Sequence, residues 1–295
     1  LSKDGVRVPF FARMEALDMR ALQQLVRFGW EQALSCLFPV VIFSALALTK
    51  MVPLPFLPRY DWLLIICLLM QWWMVQSGLE TRDELKVITL FHLIGLALEL
   101  FKVHMGSWSY PEEGYVKILG VPLYSGFMYA SVASYLCQAW RRLKIELIKW
   151  PPFFTVVALA AGIYINFFTH HFWIDVRWWL AGLVIIVFWT TWVSYEVNGT
   201  RYRMPLALSF VLIGFFIWIA ENIATFFGAW TYPNQAVAWS LVDFGKVSSW
   251  VLLVIVSFLI VATLKRVKGK DTSMANAASL NNWKLGFELK DASTK

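Results

Sequence analysis

Two glutamates stand inside apolar runs of this chain, each at the same distance from the same kind of turn. "ELFKVHMGSWSYP" from Glu99 aligns without a gap on "ENIATFFGAWTYP" from Glu221, sharing Glu, Gly, Trp, Tyr and Pro across an offset of 122 residues. A charge in the apolar centre of a bilayer costs roughly 2.5 to 3.5 kcal/mol on insertion scales, so such a carboxyl is expected to have a partner or a task. Two carboxyls at matched depth could act as acid and base or as paired proton carriers, which makes Glu99 and Glu221 the first catalytic candidates. His170 and His171, in "YINFFTHHFWIDVRWW", join them as groups that exchange protons near neutral pH.

Around these four lie candidates for binding a substrate. His92 precedes Glu99 by seven residues on one helical face, and His104 lies further along the same run. Asn166 is one turn before His170, with Asp175 close by. Trp108, Tyr110, Trp230 and Tyr232 are the aromatic members of the two turns. A plainer alternative stands beside each glutamate. Lys102, one turn after Glu99, could form a structural i,i+3 pair with it, whereas Ala224 holds that place in the second copy. Lys246 could serve Glu221 or Asp243. No HExxH, ExxH or HxxxH pattern is present, so no metal and no cofactor is expected. The absence of a Gly-rich phosphate loop, a GxSxG elbow and a DxxD pair disfavours ATP-driven transport, serine hydrolysis and prenyl transfer.

Hydrophobic residues make up 59% of the 295 positions and charged ones 15%, a composition far too apolar for a soluble globular domain. The expected class is an all-α polytopic membrane protein. Eight stretches are long enough to cross a bilayer: 30 to 49, 61 to 78, 86 to 105, 122 to 140, 151 to 169, 176 to 195, 205 to 227 and 241 to 264. Asp61 and the prolines Pro53, Pro55 and Pro58 crowd the start of the second, so a seven-span alternative stands. Lys and Arg fall seventeen against four on alternate loops, which predicts both termini in the cytoplasm. The net charge of +7 is thus a topology signal, and no nucleic-acid partner is expected.

The 122-residue offset also lays the first stretch over the fifth and the fourth over the eighth. Two four-helix repeats are expected, about 30–141 and 150–265, within a membrane domain of 30–265. Each holds an even number of spans, so both point the same way through the bilayer, unlike the inverted repeats of many transporters. Each Trp-Tyr-Pro turn then lies at the outer face, and its glutamate, nine residues earlier, about 13 Å below it. Residues 1–29 read as a cytoplasmic amphipathic segment without a cleavable signal, with Phe11, Met14, Ala21, Leu25 and Phe28 near one face. Residues 266–295 read as a polar cytoplasmic tail. Cys36, Cys67 and Cys137 fall inside spans and imply no disulfide framework. Among the 17 Trp, Trp72, Trp73, Trp189, Trp192 and Trp218 fall within apolar runs, where they could pack or line a ligand site.

"ELFKVHMGSWSYPEEGYVKILGVPLYSGFMYASVASYLCQAWRR", with "YINFFTHHFWIDVRWW" and "ENIATFFGAWTYP", resembles the bacterial integral membrane proteins grouped as domain-of-unknown-function family eight hundred and seventeen. That resemblance covers about residues 30 to 265 and implies no assigned reaction. Glu99, Gly106, Tyr110 and "LGVP" at Leu119–Pro122 also resemble the pattern of the bacterial and archaeal carotenoid hydratases. That likeness implies protonation of a terminal isoprenoid double bond and addition of water. Three readings follow: an intramembrane enzyme or binding protein for a hydrophobic, isoprenoid-like molecule; a proton-coupled small-molecule transporter; or a structural and assembly protein. The lipid bilayer is the expected partner in all three.

Overall fold

The computed structural model describes residues 10–52 and 54–265, with side chains from residue 19 onward; the side chains of Phe11 and Met14 and the expected tail of 266–295 lie outside what is described. The chain is mostly helical. In order come α1 (Phe10–Ser35), α2 (Leu37–Met51), α3 (Arg59–Gln76), α4 (Arg82–His104), the strands β1 (Lys117–Ile118) and β2 (Val121–Pro122), and α5 (Ser125–Arg142). There follow β3 (Glu146–Ile148), α6 (Phe153–Thr169), α7 (Arg177–Phe188), β4 (Trp192–Val197), β5 (Thr200–Pro205), α8 (Leu206–Phe226), a 3-10 turn at Pro233–Gln235 and α9 (Lys246–Lys265).

Each of the eight apolar stretches contains a helix. Among the described residues three helices, α4, α8 and α9, are long and apolar enough by themselves to cross a bilayer, and there is a fourth candidate if α1 and α2, bent by 67° at Cys36, count as one span. The apolar α6 and α7 are shorter. Large apolar side chains such as Phe154, Trp179, Ile186 and Phe216 stand exposed on the helices, and Trp189 just beyond α7, as on a surface that faces lipid. Trp72 and Trp73 also point outward, while Trp218 donates to the Val242 carbonyl. Along α1, Met19, Leu22, Val26 and Trp30 form an exposed apolar stripe, and Ala21 and Leu25 are exposed too; Phe28 packs on Tyr195 of β4.

The expectation of an all-helical chain needs correcting at two places. The sixth apolar stretch ends its helix at Phe188 and continues as β4, which pairs antiparallel with β3 and β5. Hydropathy counts Trp, Val and Tyr alike in helix and strand, but "SYEVNGTRYR" carries a two-residue hairpin signal. Asn198 and Gly199 both have positive φ, 48° and 75°, as that turn requires. Leu119 and Gly120 turn β1 into β2 in the same way, so "LGVP" is a hairpin loop ahead of α5. The three-stranded sheet and the Trp-Tyr-Pro turns lie at opposite ends of α8, about 31 Å apart for its 21 residues.

Packing is closest where side chains vanish. A Cβ on Gly126 of α5 would lie 2.7 Å from the His92 carbonyl oxygen, and one on Gly214 of α8 would lie 2.9 Å from the Val251 nitrogen. Helices in a membrane gain contact this way, because lipid supplies no hydrophobic drive between them. Arg59 ties several ends together. Its guanidinium donates to the carbonyls of Leu46, Phe227 and Gly228, to Thr49 Oγ1 and to Glu112 Oε1, which places one cation at the C-termini of α2 and α8. Asp61, buried in the first turn of α3, accepts from the backbone N–H groups of Tyr115 (2.8 Å) and Val116 (2.9 Å), so this acid at a crowded helix entry anchors the loop that follows α4.

Candidate functional site

The two turns are built alike. Gly106 and Gly228 both adopt φ 69°, a backbone that only glycine takes without strain. In the first turn Gly106 N–H donates to the Val103 carbonyl and Ser107 N–H to that of Lys102. In the second Gly228 donates to Thr225 and Ala229 to Ala224. These are the paired closing bonds of a Schellman motif, and they fold each chain back across the helix it has just left. Ser109 and Thr231 then meet as an antiparallel bridge, each donating its N–H to the other's carbonyl at 3.0 and 2.9 Å.

Because the chain folds back, the aromatic turn residues do not stand 13 Å above the glutamates as interfacial anchors. Tyr110, Trp230 and Tyr232 are buried, and the tyrosines reach the carboxyls directly. Glu99 accepts three hydrogen bonds: from Trp108 Nε1 (2.6 Å) and Tyr110 OH (2.7 Å) at Oε2, and from Tyr129 OH (2.8 Å) at Oε1. Glu221 accepts two, from Tyr232 OH (2.5 Å) at Oε1 and Trp250 Nε1 (2.6 Å) at Oε2. Neither glutamate has an ion-pair partner among the described residues. Neutral donors are what satisfy these buried carboxyls.

Lys102 does not pair with Glu99. Its Nζ donates to the Phe167 carbonyl (3.2 Å), lies 2.8 Å from His171 Nε2 and 3.5 Å from His170 Nε2, and sits 4.1 Å above the Phe167 ring. Lys246 makes no ion pair among the described residues; its Nζ lies over the rings of Tyr232 (4.8 Å) and Trp108 (5.9 Å). Lys246 stands 122 positions after Tyr124, whose hydroxyl donates to the Ala229 carbonyl and whose ring packs edge-on against Tyr110. Each turn tyrosine thus has a neighbour at the same offset, an aromatic ring in one case and a cation in the other.

A cavity of about 220 Å³ opens on the Glu221 side. Glu221, Trp108, Tyr232, Asn166 and His170 line it, together with Lys102, Lys246 and Arg177. Ile163, Leu252, Leu253 and Val256 form an apolar flank. Glu99 is screened from it by Trp108 and Tyr129, both of which it binds and both of which form the wall. The two glutamates therefore differ in kind. Glu99 is enclosed by three donors, and Glu221 faces a space that a ligand can enter.

The remaining sequence candidates are spread out. His171 stacks on His170, ring centroids 4.2 Å apart, and reaches the cavity through Lys102. Asp175 pairs with Arg177 and takes the Asn166 amide, holding both in place at the cavity edge. His92 packs its ring on Phe127 (4.5 Å), Tyr110 packs against Tyr60 and Tyr124, Trp230 lies in the core, and His104 is exposed at the end of α4. Sequence reasoning passed over Tyr129 and Trp250, because each reaches the site from a separate helix and no local spacing marks it, and over Arg177, although it stands two residues after Asp175, with which it pairs. Burial first, and the Lys102 charge second, hold His170 and His171 below the usual histidine range. Burial works against ionisation of Asp175, but the Arg177 backbone N–H, the Asn166 amide and the Arg177 guanidinium outweigh it and keep that carboxyl below its usual range. Among the described residues no group of three or more His, Cys, Asp or Glu side chains is arranged to hold a metal ion.

Comparison with known proteins agrees with the family resemblance read from the turns. The chain is 82% identical over 257 residues to a Bacillus subtilis (strain 168) protein described as "Uncharacterized protein YoaT", across 87% of this chain and 97% of that protein. No solved structure matches the chain. Residues 24–258, which contain both turns, both glutamates and the whole cavity lining, match the family described as "Protein of unknown function (DUF817)", and the chain belongs to that family.

Proposed function

We propose that this is a multi-pass protein of the bacterial inner membrane that binds a hydrophobic, isoprenoid-like small molecule in the cavity, with Glu221 as the carboxyl that exchanges a proton with it. The observation that carries the reading is the exposure of Glu221 to the cavity while it is buried from bulk solvent and held by neutral donors only. Such a group can gain or lose a proton without breaking an ion pair. Trp108, Tyr232 and Asn166 would touch the ligand, and His170 with His171 would stand at the mouth. Lys246 already covers the faces of Trp108 and Tyr232, and Lys102 and Arg177 stand nearby. A carbocation is disfavoured beside three cations, so the geometry favours binding and proton exchange over hydration of a double bond.

The architecture that goes with this reading is eight helical crossings in two parallel four-helix halves with both termini cytoplasmic. The self-pairing of Ser109 with Thr231, its own counterpart at the 122-residue offset, supports it. A residue meets its equivalent only where a twofold axis passes between them. Glu99, enclosed by Trp108, Tyr110 and Tyr129 of its own half, fits a structural clamp within that half. A proton-coupled carrier is the second reading, favoured by the nearness of Glu221, Lys102, His170 and His171 around one space.

Native mass spectrometry of the gently extracted full chain tests the first reading, with Val256→Trp to fill the cavity. A bound small molecule is expected in the unaltered protein and lost in the variant, together with a changed lipid or pigment extract in a deletion strain. An empty protein and unchanged extracts would overturn it. For the carrier, uptake that follows the pH gradient should vanish in Glu221→Gln.

A further inference from the structure

The cavity has a polar end whose charge is not balanced at contact distance. Arg177 has its acid, since Asp175 Oδ2 lies 2.5 Å from Nε. Lys102 and Lys246 do not. Lys102 is 4% exposed and spends its ammonium on a carbonyl and two imidazoles; Lys246 is half-buried above two aromatic rings. Neither acid of the lining contacts a lysine: Glu221 accepts from Tyr232 and Trp250, and Asp243, which is exposed, from the Gly245 N–H at 2.7 Å, and their charges reach Lys246 only from beyond ion-pair distance. An ammonium withdrawn from water is costly unless a counter-charge meets it, and here two of them border an accessible space.

From this we infer that the cavity takes the acidic head of an amphiphile, a carboxylate or phosphate joined to an apolar chain, with Lys102 and Lys246 as its counter-charges. The inference rests on the cavity being a binding site, as proposed above, and adds the ligand's chemical class. Size and lining agree with it. A space of about 220 Å³ is smaller than the ~300–1,000 Å³ of sites that enclose drug-sized ligands, so it holds a head and a short length of chain. Ile163, Leu252, Leu253 and Val256 give that first length an apolar wall, and the rest of the chain runs into lipid. Head and counter-charges meet away from water, where charge-assisted hydrogen bonds are strongest.

The test uses the full chain in phosphatidylcholine nanodiscs and measures binding of dodecyl phosphate, dodecanoate, dodecanol and inorganic phosphate. Both acids are expected to bind at least about tenfold more tightly than dodecanol, as the loss of one charge-assisted hydrogen bond implies. Inorganic phosphate should bind more weakly still. Lys246→Gln should cost the acids about tenfold and leave dodecanol unchanged, while Lys246→Arg keeps the acids bound. Should Lys246→Gln fail to fold, Lys102→Gln gives the same comparison. Competition by phosphatidylglycerol added to the disc would identify the head as a bilayer lipid's, and lack of competition would identify a free amphiphile. Equal binding of dodecanol and dodecyl phosphate, indifferent to both lysine substitutions, would overturn the inference and leave the binding site standing. Inorganic phosphate binding as tightly as dodecyl phosphate would also overturn it. If none of the four binds, the binding-site reading falls, and this one with it.

Discussion

Ser109 and Thr231 donate their backbone N–H groups to each other's carbonyls, 122 positions apart in a chain whose two turns repeat at that same interval. Two different segments can pair by accident of packing. Pairing of a segment with its own counterpart, in register, is what the proposed twofold relation between the turns would produce.

The bridge should behave as one unit. Ser109→Pro and Thr231→Pro each remove a donor from it and should each lower stability by about 1–3 kcal/mol. The double variant should cost clearly less than the two losses added, since the second proline finds a bridge already broken. Thermal melting of the three proteins in one detergent checks this, and full additivity would count against a shared bridge.

Arg59→Lys should be severely destabilising although it keeps the charge. The guanidinium reaches five acceptors on α2, on the end of α8 and on Glu112, and an ammonium has three donors and no planar fork. A loss of about 3 kcal/mol or more is expected from the carbonyls and carboxylate left unpaired, read as a lower melting temperature.

Glu99→Gln and Glu221→Gln should separate structure from binding. Each glutamate uses both oxygens as acceptors, so an amide NH₂ in either place faces a donor and leaves one group unpaired, at about 1–3 kcal/mol. At Glu221 the cavity gives room to relax, so Glu99→Gln should melt lower. Ligand retention by native mass spectrometry should fall chiefly in Glu221→Gln.

Acidification should weaken the fold in two steps. His170 and His171 have folded values below the ordinary 6.5, so the unfolded chain binds protons first as pH falls below about 6.5, and stability drops there. Asp175 has a folded value below the ordinary 3.8; its contribution is present above that pH and is lost as pH falls through the depressed value. A melting series from pH 8 to 5 should slope downward, and the slope should shrink in His171→Gln.

Much of this was legible in the residues because the relevant signals are local. Apolar length located a helix within each expected stretch, and the aligned repeat marked two turns that the structure builds alike, although it did not show that their tyrosines turn back to the carboxyls. The alternative of a Lys102–Glu99 pair is not realised, because a spacing of three permits such a pair without requiring it, and the carbonyl and imidazoles at the end of α6 compete better. Taking Trp108 as an interfacial anchor assumed that the chain runs straight out of the helix, whereas Gly106 reverses it. The strands near Asn198 were written in the sequence but masked by a hydropathy window that cannot tell a pleated Val from a helical one. Tyr129 and Trp250 could not be foreseen, since only tertiary packing brings them to the carboxyls.

Two turns carried on one chain escape the constraint that binds a homodimer, in which every substitution must be tolerated twice. Tyr124 and Lys246 occupy corresponding places, yet one closes its side with an aromatic ring and the other brings an ammonium to an opening. At that offset the two turns share a backbone and not a lining.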